Sequence, residues 1–120
     1  MTVYVTKTAN TVAGGIAHMI EGANEDYNTF MPPTDEVRKK MVAEFVEKWV
    51  VKSGSKYVKI MTDNGGSAWG FIVNTDDDKK FKRGDILMCA GYKAPARNGA
   101  RGNVLEGNYE IAWTGPRYLR

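Results

Sequence analysis

The hydrophobic period of this chain changes at Ser53-Gly54-Ser55. In the long stretches before that point, apolar residues recur every three or four positions, as on one face of a helix. After it they alternate, as in a half-buried strand. Two helical stretches followed by several short strands restrict the chain to the α+β class. The expected architecture is two helices packed on one face of a mostly antiparallel sheet of four to six strands. At 120 residues, a single domain spanning 1–120 is expected.

Individual elements follow from the same patterns. Val3-Tyr4-Val5 reads as a short strand between threonines. Asn10 or Thr11 caps a first helix that carries Val12, Ile16, Met19 and Ile20, and Gly22-Ala23-Asn24 ends it. Gly14 and Gly15 inside that helix imply close approach to a neighbouring element. Residues 24–33 read as a linker, with a short extended piece at Tyr27–Met31 before Pro32-Pro33. Thr34 then caps a second helix running to Lys52, where Val37, Met41, Phe45 and Trp49 recur every four residues. That face is expected to lie on the sheet. Asp63-Asn64-Gly65-Gly66 is a hairpin turn between Lys56–Thr62 and Ala68–Asn74, with Trp69, Phe71 and Val73 sharing one face. Further strands are expected at Ile86–Ala90 and Tyr109–Trp113, and Thr114-Gly115-Pro116 breaks the last one.

Charge is unevenly distributed. Residues 1–78 hold 8 Lys/Arg against 11 Asp/Glu, whereas residues 79–120 hold 9 against 3. A basic C-terminal third on an otherwise acidic chain points to an anionic partner, or to two faces that neutralise each other. With 42% hydrophobic and 26% charged residues the composition is that of a folded domain. No apolar run approaches the roughly 20 residues that cross a bilayer, so no membrane role is expected. The N-terminus lacks a signal-peptide plan, and the cytoplasm is the expected location.

Few residues offer chemistry. His18 sits mid-helix with no acid or thiol beside it in sequence, which suits a structural or surface histidine better than a general base. Cys89, the single cysteine, alternates with Met88 in an expected strand and reads as a small buried hydrophobe. One cysteine and one histidine cannot build a zinc site. Asp76-Asp77-Asp78 lacks the alternating spacing of a calcium loop and reads as a solvated turn. Lys7–Thr11 leads into a helix N-terminus and could hold a phosphate, but it lacks P-loop spacing and reads as a plain cap. No cofactor is implied, and an enzymatic role is the outside reading.

The segment Gly91–Asn103 differs from all of this. It mixes Lys93, Arg97 and Arg101 with Asn98, Asn103 and Tyr92 among small residues that cannot fill a core. A loop of this make-up is either poorly ordered or built to present backbone amides and side chains to a ligand. Cations contact phosphates, asparagines read bases or sugars, and aromatics stack on bases. Tyr92, Lys93, Arg97, Asn98, Arg101, Asn103, Arg117 and Tyr118 are therefore the candidate binding residues for nucleic acid or a nucleotide, with Trp113 as a further aromatic or a core residue. The alternative is a protein-interaction module, with Tyr92, Arg97 and Arg101 as anchors on a host protein. A third reading makes the loop an internal latch, with Arg97 and Arg101 clamping Asp76–Asp78 or Glu44.

Two resemblances accompany these residues. Phe81-Lys82-Arg83-Gly84-Asp85-Ile86-Leu87 followed by Ala94-Pro95-Ala96-Arg97-Asn98-Gly99-Ala100-Arg101-Gly102-Asn103 resembles a pattern in short proteins of tailed phages and environmental viruses. It covers residues 56–104 and implies a phage origin, with the host cytoplasm as location, more than an activity. The protein-interaction alternative would make such a protein a host-enzyme inhibitor or a virion component. Separately, Asn10-Thr11-Val12-Ala13-Gly14-Gly15-Ile16-Ala17 is similar to the first helix of sporulation protein S, of the Alba-like nucleic-acid-binding fold. That similarity implies strand–helix–strand–helix order and nucleic-acid binding. The linker at 24–34 and the C-terminal extension depart from it.

Overall fold

A computed structural model describes residues 2–117. The elements run β1 (Val3–Val5), α1 (Val12–Phe30), α2 (Glu36–Glu47), β2 (Val50–Ser53), β3 (Tyr57–Thr62), β4 (Ser67–Val73), β5 (Ile86–Leu87), β6 (Tyr109–Ala112) and β7 (Gly115–Pro116). The α+β class is as expected, with all strand pairs antiparallel. The strands divide between two sheets, β1-β6-β7 and β2-β3-β4-β5. Trp69 Nε1 joins the sheets by donating to the Trp113 carbonyl at 3.0 Å.

Helix α1 is the central element. Thr11 caps it by accepting from the Gly14 N–H at 3.0 Å, so Lys7–Thr11 leads into an ordinary cap. The helix does not end at Gly22 but continues to Phe30, and there is no extended piece at Tyr27–Met31. Gly22 is a packing residue: a Cβ there would lie 2.9 Å from Val5 Cγ2. Gly15 plays the same part further up, where a Cβ would lie 2.7 Å from Val104 Cβ. Beyond Gly22 the buried face continues through Ala23, Asp26 and Tyr27. Glycine ended the sequence-based helix because it is a poor helix former; tertiary contact outweighs that propensity here.

Helix α2 differs from expectation at both ends. Asp35, rather than Thr34, caps it, with its carboxylate accepting from the Arg38 N–H at 2.8 Å. It stops at Glu47, and Val50–Ser53 leaves as β2 to pair with β3. The four-residue spacing runs on into Trp49 only because that side chain turns back onto the core, where its Nε1 donates to Asn24 at 2.8 Å. No residue of α2 is buried, and the helix leans on α1 through the stacked Tyr27 and Phe45 rings.

The hairpin forms at the expected turn, with left-handed backbone at Asp63, Asn64 and Gly65. One detail was hidden from periodicity. Met61 pairs with Ala68 but Ile60 pairs with Gly70, so Trp69 is an extra residue in β4. This bulge sends Trp69 to the main core with Ile60 and Ile72, while Phe71 and Val73 join a second cluster with Phe81 and Leu87. The strand expected at Ile86–Ala90 shortens to two residues, continued by a bridge between Cys89 and Pro95. Thr114-Gly115-Pro116 does not end the pairing: Gly115–Pro116 folds back on β6 as β7.

Candidate functional site

Register places the chemistry on one side of the larger sheet. Lys52 pairs with Lys59, Lys59 with Phe71, and Phe71 with Leu87, so these four side chains share a face. Val58, Ile60 and Ile72 point the other way and join the core beneath α1. Residues 88–101 cross the first face and cover Phe71, Val73 and Leu87. The segment is pinned by its own backbone: Ala96 N–H donates to Met88 at 2.7 Å, and Arg101 N–H to Ile86 at 2.7 Å.

Arg97 sits at the edge of this cover. Both terminal guanidinium nitrogens reach the Asp78 carboxylate at 2.9 Å, and Nη1 also donates to the Tyr57 hydroxyl. The Asp78 side chain is only 1% exposed, and it also accepts from the Lys80 and Phe81 N–H groups at 2.8 and 2.9 Å. The Arg97 guanidinium, followed by those two amides, holds the Asp78 carboxyl well below the usual carboxylate range. Arg97 in turn is held above its ordinary value, chiefly by Asp78. Lys80 Nζ adds a clamp on the Arg97 carbonyl at 2.6 Å. The internal-latch reading therefore describes Arg97.

The remaining described candidates fall into three groups. Asn103, expected to face a ligand, is buried: its amide donates to Asp85 at 2.9 Å and to the Arg83 carbonyl at 3.0 Å. Its oxygen accepts from the Leu105 N–H at 2.8 Å. The amide ends are consumed by the loop, so Asn103 is a scaffold residue. Arg101 donates to the Arg117 carbonyl at 3.0 Å and leans on Asn98 at 3.4 Å, so it braces the chain near its C-terminal end instead of gripping an acid. Tyr92, Lys93, Asn98 and Arg117 remain exposed. Tyr118 lies outside the described residues.

Tyr92 is held in place at the surface. Its hydroxyl donates to the Gly65 carbonyl, and Lys59 Nζ lies 3.3 Å from its ring centroid. Next to Arg97, a cleft of about 480 Å³ is lined by Lys56, Lys79, Arg97, Ser55, Thr75, Asp77 and Asp78. Nothing local in the sequence marks Lys56, Lys59, Lys79 or Tyr57 as site residues. Only strand register, which puts Tyr57 and Lys59 on the face covered by residues 88–101, joins them to Tyr92.

The possible catalytic groups stay apart. His18 lines the space between α1 and β1, whereas Cys89 packs with the Phe71 cluster across the sheet. Burial pushes the Cys89 thiol up, against the pull of Lys59, so it is not an activated thiolate. The three aspartates diverge: Asp76 pairs with Arg83 at 3.0 Å, Asp78 with Arg97, and Asp77 faces the cleft. Among the described residues no group of three or more histidines, cysteines or carboxylates could hold a metal ion. No helix among them is long and apolar enough to cross a membrane. Trp113 packs its ring against Tyr27, Phe30 and Phe45 and so belongs to the core reading.

No protein-family model, curated protein or solved structure matches this chain.

Proposed function

We propose that this protein binds nucleic acid, or a nucleotide, along the basic and aromatic side of its four-stranded sheet. The observation that carries this reading is one continuous surface. The cleft with Lys56 and Lys79 is walled by Arg97, which bonds Tyr57; two residues along the same face of β3, Lys59 lies over the exposed ring of Tyr92. Lysines and hydroxyls are the groups that contact phosphates, and a ring fixed at the surface beside cations offers a stacking platform. Lys93, Asn98 and Arg117 extend the surface. Arg97 acts through Tyr57 and Asp78 by fixing the cleft wall, and Arg101 and Asn103 support the covering segment. A phage origin belongs to the same reading, as does work in the host cytoplasm, and both rest on the resemblance of residues 56–104.

Anisotropy titration with labelled single- and double-stranded DNA and RNA tests the proposal. Binding is expected to weaken steeply with salt. If three cations engage a single strand, the logarithmic slope is roughly −2. Lys56→Glu combined with Lys79→Glu should abolish binding, and Tyr92→Ala should weaken single-strand binding more than duplex binding. No binding of any of the four probes at low salt overturns the reading.

A further inference from the structure

We infer that the open edge of β2, together with the cleft beside α1, is a docking groove for an extended peptide segment of a partner protein, apolar at alternate positions and acidic between them. The groove lies on the side of the sheet away from Tyr92, and the inference does not depend on nucleic-acid binding.

The backbone comes first. Strand β2 is terminal in the order β2-β3-β4-β5, whereas β5 is closed by residues 101–103 through Arg101 N–H to Ile86 and Ile86 N–H to Gly102. Gly54 N–H donates to the Tyr57 carbonyl at 2.8 Å, which fixes the alternation of the ladder. With Lys52 opposite Lys59 and Val50 opposite Met61, those residues exchange bonds with β3. The N–H and C=O groups of Val51 and Ser53 therefore point outward, four backbone groups ready for another strand.

Side chains supply the specificity. Beside this edge is a cleft of about 340 Å³, with Val12, Ile16, Ala17 and Ile20 of α1 on one wall and Val51 and Val58 on the other. Val51 is 45% exposed there. From Val12 to Ile20 the helix rises about 12 Å, close to the roughly 13 Å of a four-residue strand. An added strand would direct alternate side chains into this apolar cleft. Its intervening side chains would lie on the opposite face, beside Lys52. That lysine is exposed, is the only charge in β2, and has no ion-pair partner among the described residues. Opposite charge is favoured at such a cross-strand position. The same argument disfavours a second copy, because a two-fold β2–β2 pairing puts two Lys52 side chains on one face.

The test uses the intact chain and two labelled hexapeptides, one alternating valine with glutamate and one alternating valine with lysine. The first should bind at least about tenfold more tightly, and Lys52→Glu should reverse the order. Ser53→Pro removes an outward N–H, a change that an edge strand tolerates. Ala17→Glu blocks the cleft from an exposed position. Each should weaken binding about tenfold or more with the fold intact by circular dichroism. Amide resonances of 12–20 and 51–53 should shift on titration. Equal binding of the two peptides, indifference to both blocking variants, or shifts elsewhere overturns the inference. A concentration-dependent dimer abolished by Ser53→Pro would give the edge to a second copy and also overturn it.

Discussion

The two faces of the four-stranded sheet are held by different physics. Under α1, Val58, Ile60, Ile72 and Ile86 pack with Ile16, Met19 and Ile111 in a continuous apolar core. Under residues 88–101, a small cluster around Phe71 is sealed by polar groups: Arg97 on Asp78, Asn103 on Asp85, and Lys80 on the Arg97 carbonyl. Apolar packing is strong and insensitive to pH, whereas a charge-assisted clamp is directional and titrates. One face is thus the foundation, and the other is a cover whose hold on the sheet can be changed separately.

Breaking the foundation should have the largest effect. Gly15→Ala puts a Cβ within 2.7 Å of Val104 Cβ, against a buried segment that cannot yield cheaply. A loss of about 3 kcal/mol is expected in urea unfolding, at the strained end of overpacking. A milder result would mean that α1 can slide over the 103–105 segment. Next comes the cover's own scaffold. Asn103→Ala leaves Asp85 Oδ1 and two amides without their partner, although Lys82 N–H still bonds Asp85 Oδ2, and about 2 kcal/mol should be lost.

Acid should then separate the two faces. Since the folded-state pKa of Asp78 is depressed, the clamp contributes its full stabilisation above the unfolded value of about 4. That contribution is lost as pH falls through the range below it. Hydrogen exchange should therefore accelerate in residues 88–101 on acidification while amides of β3 stay protected. Arg97→Lys keeps the charge but loses the two-pronged contact, and should reproduce part of this loosening at neutral pH. Equal acceleration on both faces would remove the distinction. The smallest effect belongs to α2: Val37→Lys, at a position 70% exposed, should shift stability by less than about 0.5 kcal/mol.

Legibility in the sequence followed a different division, between local signals and contacts distant along the chain. The hairpin, the β6 core face and the existence of both helices were readable, because period and turn chemistry are local. What escaped was set by contacts distant along the chain. Gly22 reads as a stop in the sequence because its partner Val5 lies on β1, and the Trp69 bulge depends on pairing with Ile60 and Met61. At the candidate site, Arg97 and Tyr92 were legible as unusual residues. Their neighbours Lys56, Lys59 and Tyr57 were not, since only the β3 register brings them to the same surface.

The bulge that turns Trp69 inward has one more consequence. It sets Trp69 edge-on to Trp49, with ring centroids 5.7 Å apart, while Trp113 caps the aromatic stack between the helices. The chain's three indoles thus gather at the junction of helices and sheets, and none lies in the cover. Close indole pairs couple their electronic transitions, so near-ultraviolet circular dichroism should report the junction directly. The same spectrum should hold steady while the cover loosens, which gives each half of the molecule its own optical or exchange signature without any added label.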